Sequence, residues 1–332
     1  MAKVTLSDIA RELDVSVVTV HNALKGQKGV SEEMRTKINE VARALGYGQQ
    51  KTSEWRMKYS VQRKIGVLVS EKFLAEYDTY YWKIYKEIAL QSQEMNCVTS
   101  VEVLMHHTIA QKKLPRIVEE GVVNAVIVLG ELERDYIAIL RKKAQIPVVF
   151  LDFYNKDIAE DCVVANNFIG MYTLTEHLRQ RGFTRMAYVG SIDKTSSIMD
   201  RYLGFYKSVL ENGLYFCPQW LIPDRDDLGN IHFDLPDELP EAFVCNCDLV
   251  ATLLIQKLQQ QGYRVPEDIS VVGFDNYPHP GVPDLGITTY EVNMREMARA
   301  ALKKVISYCT KENGRKGMTI IAGHIVEKKS IK

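Results

Sequence analysis

Hydrophobic positions in residues 1–47 recur at helical spacing and are interrupted by short polar breaks. The repeats predict three short helices, with the apolar stripes Leu6, Ile9, Ala10 and Leu13; then Val20, Ala23 and Leu24; then Met34, Ile38, Val41 and Leu45. Thr5, Ser16 and Ser31 precede the stripes, at positions where a hydroxyl can cap a helix. Asp8 completes a capping box with Thr5. The pattern therefore predicts a compact three-helix unit.

A tight turn joins the first two predicted helices, as in a helix-turn-helix unit that places its second helix in the DNA major groove. On that helix Val17, Val18, His21 and Asn22 face away from the apolar stripe. Periodicity alone does not distinguish this DNA-binding unit from a small helical cap without a role in DNA binding, because three-helix units are common.

Beyond residue 64 the pattern changes to apolar runs of strand length. The predicted strands are Ile65–Ser70, Val98–Leu104, Ala125–Leu129, Val148–Asp152, Met186–Gly190, Phe243–Asn246 and Ser270–Phe274. Helical periodicity lies between them, near residues 80–95, 110–120, 133–144, 168–181, 200–212 and 249–261. This alternation predicts an α/β fold with parallel sheets and right-handed crossovers. The number of units favours two lobes, with ligands at the carboxyl ends of the strands.

The composition is that of a soluble globular protein, with 46% apolar and 25% charged residues among 332. We find no apolar run of about 18 residues and no apolar segment behind the N-terminus, so we expect no membrane span, no secretory signal and a cytoplasmic location. The zero net charge is unevenly distributed, because residues 1–64 contain 12 Lys and Arg against 7 Asp and Glu. The head therefore carries +5 and the body −5, which is typical of a phosphate-binding module attached to another domain.

The sequence contains no glycine-rich phosphate loop, no recognisable motif that pairs a nucleophile with a general base, and no cluster of metal ligands. We therefore expect no cofactor, no metal site and no catalytic residues. Two other classes of protein stay open at this point. One is a sugar-binding protein without a DNA role, which the helical head argues against. The other is an enzyme acting on a sugar or nucleotide, since catalytic carboxylates can occur without a recognisable motif.

A dense series of motifs runs through the head: Thr5-Leu6-x-Asp8-Ile9-Ala10, Val15-Ser16, Thr19-Val20, Ala23-Leu24, Val30-Ser31 and Leu45-Gly46-Tyr47. They resemble the DNA-binding head of the lactose-repressor (LacI/GalR) family. The resemblance implies contacts with double-stranded operator DNA from Thr5, Ser16, Val17, Val18, Thr19, His21 and Asn22. The family usually has Ser-Arg where this chain has His21-Asn22. Because Asn suits adenine and Arg suits guanine, we expect a different operator from the commonest family sequence.

Residues 48–64 are polar and form the predicted linker. In the family a hinge helix inserts a leucine into the minor groove at this point. This chain lacks the family's Arg-Pro-Asn after Tyr47 and has Ser53-Glu54-Trp55-Arg56-Met57 around the inserted position. Either Arg56 or Met57 replaces the leucine, or the insertion is lost. Arg56 also suits a phosphate contact, so we count it among the DNA-binding residues.

Motifs in the body extend the resemblance over nearly the whole chain, and the most specific are Asp200-Arg201-x-x-Gly204-Phe205 and Ser270-Val271-Val272-Gly273-Phe274-Asp275-Asn276. They resemble the family's sensor domain, which is similar to periplasmic sugar-binding proteins. The resemblance implies effector contacts from Tyr80, Tyr81, Asp152, Asn166, Arg201, Asn246, Asp248 and Asp275. Each also has a structural interpretation, since Arg201 and Asp275 could form an ion pair that stabilises the lobe, and the tyrosines could belong to the core.

The resemblance implies a helix-turn-helix head on a two-lobed, periplasmic-binding-protein-like α/β domain with parallel sheets. We place the head at 1–47, the linker at 48–64, the first lobe at about 65–161 and 291–320, and the second lobe at about 162–290 and 321–332. We expect a homodimeric transcriptional repressor on a near-palindromic operator. Its small-molecule effector is expected to be a sugar or sugar derivative bound between the lobes, with a purine or another metabolite as the alternative.

Overall fold

The computed structural model describes residues 5–24, 30–45, 62–74, 80–226, 229–310 and 316–332. The chain divides into two compact units between Gln62 and Arg63. The first unit contains the head and the second contains the body. The predicted contact residue Arg56 lies outside the described residues. No helix in the described ranges is long and apolar enough to cross a membrane.

The head contains three helices, α1 (Leu6–Glu12), α2 (Val17–Leu24) and α3 (Glu32–Ala44). Their apolar stripes converge on a small core formed by Ile9, Ala10, Val20, Ala23, Ile38 and Ala42. All six side chains belong to the stripes or to their helical continuation, so the hydrophobic spacing accounts for the packing of the head.

The three predicted caps of the head are present. The backbone N–H and hydroxyl of Thr5 donate to Asp8 Oδ2 at 2.8 and 2.7 Å. Ser16 Oγ accepts from the backbone N–H of Thr19 at 3.0 Å. Ser31 Oγ accepts from the backbone N–H of residue 34 at 3.3 Å. These bonds satisfy amide groups that have no partner inside the helices, and so fix where each helix begins.

The first lobe is built on a six-stranded parallel sheet, with the order β11-β5-β4-β3-β1-β2. Its strands are β1 (Arg63–Ser70), β2 (Cys97–Leu104), β3 (Ala125–Leu129), β4 (Val148–Leu151), β5 (Cys162–Ala165) and β11 (Thr319–Ile321). Its helices are α4 (Tyr80–Glu94), α5 (His106–Ala110), α6 (Arg116–Glu119), α7 (Arg134–Lys143) and α11 (Met294–Cys309). The central strand β3 is buried along its whole length, as expected when helices cover both faces of a parallel sheet.

The second lobe contains a six-stranded sheet with the order β12-β10-β9-β8-β6-β7, in which only β12 runs antiparallel to its neighbour. Its strands are β6 (Met186–Val189), β7 (Leu221–Ile222), β8 (Ala242–Cys245), β9 (Ser270–Asp275), β10 (Thr288–Glu291) and β12 (His324–Val326). Its helices are α8 (Asn167–Gln180), α9 (Ser196–Glu211) and α10 (Asp248–Gln260). Helices α8 and α9 approach closely at Gly204, where a Cβ atom would lie 2.1 Å from the Phe168 carbonyl oxygen.

The predicted α/β class with two parallel-sheet lobes is confirmed. All seven predicted strands lie in the sheets, whereas the short strands β5, β7, β10, β11 and β12 and helix α11 were not predicted. The chain crosses to the second lobe after Ala165, a few residues beyond the expected boundary, because β5 pairs with β4 and β11. The helix expected near residues 110–120 is two short helices, and the second begins after Pro115.

The chain passes between the lobes at three places that contact one another. The backbone N–H of Asn166 donates to the Ile321 carbonyl at 2.9 Å. The backbone N–H of Gly323 donates to the Tyr290 hydroxyl at 2.9 Å. A Cβ atom on Gly323 would lie 1.9 Å from the carbonyl oxygen of Glu291, so these two crossovers approach as closely as glycine allows.

We expect Gly323→Ala to lower the thermal midpoint of the body by about 3–10 °C, because the added methyl group forces backbone atoms of two crossovers apart. Differential scanning calorimetry measures this change. Gly213→Asn is the control, since Gly213 has a φ of +59° and open space around its added Cβ, a conformation that asparagine tolerates. An unchanged midpoint in Gly323→Ala would show that the crossovers have room to separate.

Candidate functional site

The outward face of α2 carries the side chains that the sequence assigns to operator contacts. Val17 and Val18 are 42% and 66% exposed, and His21 is also exposed, whereas Asn22 is partly buried. Ser16 and Thr19 share a hydrogen bond of 2.8 Å between their hydroxyls at the start of the helix. The face therefore combines two exposed apolar side chains with polar side chains. The helix that carries them has its start fixed by the Ser16 cap.

Arg35 of α3 holds the other end of α2. Its Nη1 donates to the carbonyl oxygens of Ala23 and Asn22, at 2.8 and 3.4 Å. A cation at the C-terminus of a helix satisfies the last carbonyls and complements the helix dipole. Sequence analysis missed this role, because nothing in the spacing of Arg35 indicates which carbonyl groups it reaches.

In the body, Arg201 of α9 is buried among acceptors from three other elements. Its Nε donates to Asn167 Oδ1 at 2.8 Å, and its Nη1 donates to the Asn246 carbonyl at 2.7 Å. Its Nη2 lies 3.1 Å from Asp275 Oδ1 in an ion pair. The guanidinium also stacks on the Phe274 ring, 4.1 Å from the centroid. The ion pair between Arg201 and Asp275, which was the structural interpretation of the sequence, is thus present at the carboxyl end of the second sheet.

Two buried aspartates from opposite lobes interact electrostatically with Arg201, and Asp275 also contacts it directly. Asp152 follows β4 of the first lobe and Asp275 ends β9 of the second, with exposed fractions of 5% and 8%. Burial raises the pKa of Asp152 to about 7 and that of Asp275 to about 6, while Arg201 opposes both shifts. Their φ angles of 70° and 102° are unusual for residues other than glycine. Such backbone strain is typical of functional sites, where the surrounding structure enforces it.

Tyr80 and Tyr81 complete what we call the interlobe cluster: Tyr80, Tyr81, Asp152, Arg201 and Asp275. Burial raises the pKa of both tyrosines well above the usual value, with Asp152 adding to the effect, so the hydroxyls stay neutral. The two rings meet edge to face with centroids 5.5 Å apart. Tyr80 also contacts Tyr277 of the second lobe, at 6.2 Å between centroids. The start of α4 therefore brings two aromatic rings to the charged residues.

Several oxygens of this region have no hydrogen-bond partner among the described residues, although they are buried. They are Tyr80 Oη, Asp152 Oδ1, Asp248 Oδ1 and Asp275 Oδ1, the last of which lies 3.1 Å from Arg201 Nη2 in the ion pair. Buried polar atoms are nearly always satisfied in folded proteins, and exceptions call for a functional explanation. The arrangement can accept hydrogen bonds from the donors of a bound molecule.

Asn246 and Asp248 lie at the end of β8 and the start of α10. The side chain of Asn246 donates to Asp224 Oδ2 at 2.6 Å, so its amide is occupied inside the protein. Asp248 Oδ2 accepts from the backbone N–H of Tyr277 at 3.0 Å. Burial raises the pKa of Asp248 to about 8, with the nearby Asp275 adding to the shift. Both residues support the strand ends that carry the interlobe cluster.

Asn166, an effector contact implied by the resemblance, lies at the start of α8, and its neighbour Asn167 contacts Arg201. Asn166 Oδ1 caps α8 by accepting from the backbone N–H of Ile169 at 3.4 Å. Its neighbour Asn167 is buried and is the residue that bonds to Arg201. Sequence analysis did not single out Asn167, nor Tyr277, Asp224 or Arg225, since none of them lies in the motifs that carried the resemblance.

Direct hydrogen bonds join the lobes beside the interlobe cluster. The Tyr154 hydroxyl donates to Asp200 Oδ1 at 2.7 Å. The Ser197 hydroxyl donates to the carbonyl oxygen of Asp152 at 3.3 Å. These bonds hold the first turn of α9 against the loop after β4, so the two lobes are in contact where a ligand would bridge them.

Two family profiles match the chain. The profile described as bacterial regulatory proteins, lacI family, matches residues 5–50, and that of the periplasmic binding protein-like domain matches residues 175–331. Together they define a DNA-binding head and a sensor-type domain. The chain therefore combines the DNA-binding head of LacI-family regulators with a periplasmic-binding-protein-like domain, the domain composition of a DNA-binding transcriptional repressor of that family, which confirms the resemblance.

Curated relatives share 25% identity with the chain over 98% of both sequences. They include the transcriptional repressor PurR of Aliivibrio salmonicida and the transcriptional regulator RegA of Clostridium saccharobutylicum. Both are named as regulators of transcription, which favours a transcriptional regulator over the sugar- or nucleotide-processing enzyme that the sequence left open.

Solved structures share the fold. A complex of the regulator CelR with cellobiose has a TM-score of 0.67 at 20% identity, covering 99% of this chain and 100% of that one. A lac repressor dimer bound to operator and the anti-inducer ONPF has a TM-score of 0.64 at 21% identity, covering 99% of both chains. The two-lobed architecture of this chain is therefore that of known repressors.

We expect Asp152→Asn to stabilise the ligand-free body more at pH 8 than at pH 5. Because the pKa of Asp152 is about 7 in the folded state and 3.8 ordinarily, folding binds a proton, and stability falls as the pH rises through 7. Asparagine cannot ionise, so the difference in thermal midpoint between variant and parent should grow by a few degrees from pH 5 to pH 8. The exposed Asp237→Asn is the control. Equal differences at both pH values would contradict the raised pKa.

Proposed function

We propose that this repressor binds a near-palindromic operator as a homodimer, and that a small effector rich in hydroxyl groups controls the affinity. The effector is a sugar or sugar derivative, held between the lobes by the interlobe cluster. The observation that carries the proposal is the meeting of Asp152 from one lobe with Arg201 and Asp275 from the other, beside two tyrosine rings. Ligands of open α/β sheets bind at the carboxyl ends of the strands, where these residues lie.

The chemistry of the cluster suits a sugar. The unpartnered oxygens of Asp152 and Asp275 can accept hydrogen bonds from hydroxyl groups. The rings of Tyr80 and Tyr81 can pack on the apolar face of a sugar ring. The complex of the structural neighbour CelR with cellobiose supports this class of ligand, since that protein has the same two-lobed fold. We assign Asn166, Asn246 and Asp248 to positioning roles beside these contacts.

Control of DNA binding follows from linkage between the two sites. A ligand that bonds to both lobes stabilises the arrangement in which they are in contact, and any difference in DNA affinity between lobe arrangements then becomes an effect of the ligand. Coupling free energies of this kind are typically about 1–3 kcal/mol. The bonds from Tyr154 to Asp200 and from Ser197 to Asp152 would strengthen together with ligand binding.

Operator recognition is assigned to α2. Val17 and Val18 present methyl groups that suit thymine, while Asn22 and His21 present polar groups to base edges. The hydroxyl residues at the helix starts, together with Arg56, suit contacts with phosphate groups: Thr5, Ser16 and Thr19. Two such heads related by a two-fold axis read two half-sites, which is why the operator is expected to be near-palindromic.

Selection of operators from random DNA with the full chain tests the first half of the proposal. We expect a near-palindrome whose binding weakens steeply with salt. Asn22→Ala should weaken binding to it about tenfold or more and relax the preference at one base pair of each half-site. Asn39→Ala on α3 is the matched control, because Asn39 bonds to the carbonyl of Arg35 within its own helix. Equal binding by the two variants would exclude α2 as the reading helix.

A thermal-shift and operator-binding screen against sugars, sugar phosphates and nucleobases tests the second half. A specific ligand should raise the thermal midpoint and change operator affinity at the same concentrations. Arg201→Lys keeps the charge but loses the planar fork, so the ligand affinity should fall tenfold or more. The exposed Arg264→Lys is the control. A response that survives Arg201→Lys places the effector elsewhere, and a response to nucleobases alone would replace the sugar by a purine-like ligand.

A further inference from the structure

The interlobe cluster holds more negative than positive charge. Asp152 and Asp275 face the single guanidinium of Arg201, and Asp248 adds a third buried carboxyl group next to Asp275. Arg225 lies 3.5 Å from Asp224, so this neighbouring pair balances itself. Ionising all three carboxyl groups therefore leaves an excess of negative charge in a buried place, which is unfavourable without a further cation.

The cations near the cluster are already engaged. The three nitrogens of the Arg201 guanidinium each face an acceptor within the second lobe. Lys328 donates to Asn276 Oδ1 at 2.9 Å, and Lys83 lies over the Tyr277 ring at 5.5 Å. In the described part of the chain, none of these lysine contacts reaches the free oxygens of Asp152 or Asp275.

Three buried oxygens from both lobes can accept further hydrogen bonds: Tyr80 Oη and Asp152 Oδ1, which have no partner among the described residues, and Asp275 Oδ1, which pairs with Arg201 Nη2 at 3.1 Å. The Ser197 hydroxyl donates to the carbonyl oxygen of Asp152 one turn before Arg201 on α9, and the Tyr80 ring contacts Tyr277 two residues after Asp275, so the three groups lie around one region. Asp152 and Asp275 are 5% and 8% exposed as residues and their Oδ1 atoms are buried, so bulk water does not replace the missing donors.

We propose that the effector carries a protonated primary amine, and that this ammonium group binds between Tyr80, Asp152 and Asp275. The inference rests on the proposed function, because it names the class of ligand for the same site. An amino sugar or another amine of similar size is the ligand class that follows.

An ammonium group meets both requirements of the cluster at once. It has three N–H donors and no acceptor, which matches the three oxygens that can accept further hydrogen bonds. Its single positive charge offsets the excess of carboxylates, whereas a neutral hydroxyl supplies donors without charge. A phosphate or carboxylate at this place would meet Asp152 and Asp275 with like charge. The carboxylate of Asp275, which pairs with Arg201, offsets part of the repulsion between the guanidinium and the ammonium.

Matched ligands test the inference with the full chain at neutral pH. Glucose, glucosamine and N-acetylglucosamine form one set, the corresponding galactose and mannose compounds form two more, and putrescine represents an amine without a sugar ring. Acetylation removes the charge and two of the three donors but keeps the nitrogen in place. We expect at least one amine to bind tenfold or more tightly than both of its neutral partners in calorimetric titration.

Two conservative variants connect that preference to the proposed oxygens. Tyr80→Phe removes one acceptor and keeps the ring, so the affinity for the amine should fall about fivefold. Asp152→Asn removes a charge and should reduce it by more than tenfold while neutral sugars change less. Tyr85→Phe on the same helix and the exposed Asp237→Asn are the controls, and neither should alter binding. Circular dichroism of each variant verifies that it is folded.

The outcomes separate this inference from the proposed function. If neutral or acetylated sugars bind as tightly as their amines, or if no amine in the panel binds, the ammonium site is wrong. A sugar or nucleobase that still changes operator affinity would leave effector control intact in that case. If the amine preference survives both Tyr80→Phe and Asp152→Asn, the amine binds away from these oxygens, and the inference fails as well.

Discussion

The arrangement of the carboxyl ends of the strands in the second lobe depends on the buried guanidinium of Arg201. It joins the start of α8 through Asn167, the end of β8 through the Asn246 carbonyl, and the end of β9 through Asp275. Removing one partner of a buried ion pair typically costs about 3–5 kcal/mol, because the other charge stays buried without compensation. The position of Asp275 at an unusual φ of 102° is maintained within this network. Three elements therefore keep their relative positions through one side chain.

In the proposed function, the same network makes the interlobe cluster responsive to a ligand. Burial opposes ionisation of Asp152 and Asp275, so their pKa values rise to about 7 and about 6. Both values lie close to neutral pH. A hydrogen-bond donor of a bound ligand would offset part of the cost of ionising these buried carboxyl groups. It would do so for Asp152 of the first lobe and for Asp275 of the second. Ligand binding and contact between the lobes are then favoured together, since either one improves the conditions for the other.

Local patterns predicted what local forces determine. Thr5, Ser16 and Ser31 cap their helices as expected, because capping depends on residues three positions apart. The apolar runs identified the long buried strands, and the motifs around Arg201 and Asp275 identified the charged pair. Asn167 was missed because its partner lies 34 positions away in sequence. The strands β11 and β12 have only three residues each and are partly exposed, so they contain no apolar run of their own, whereas the missed β5 is as long and as buried as the predicted β4.

The head achieves a defined recognition helix with very little core. Small units bury a low fraction of their surface and are marginally stable, so polar contacts at helix ends matter more than they would in a large domain. Helix α2 is held at its start by the Ser16 cap and at its end by Arg35, while its outward residues Val17 and Val18 make no contribution to the core. Stability and recognition thus use opposite faces of the same eight-residue helix. With operator recognition assigned to α2 as proposed, substitutions on the outward face should change the operator without unfolding the head.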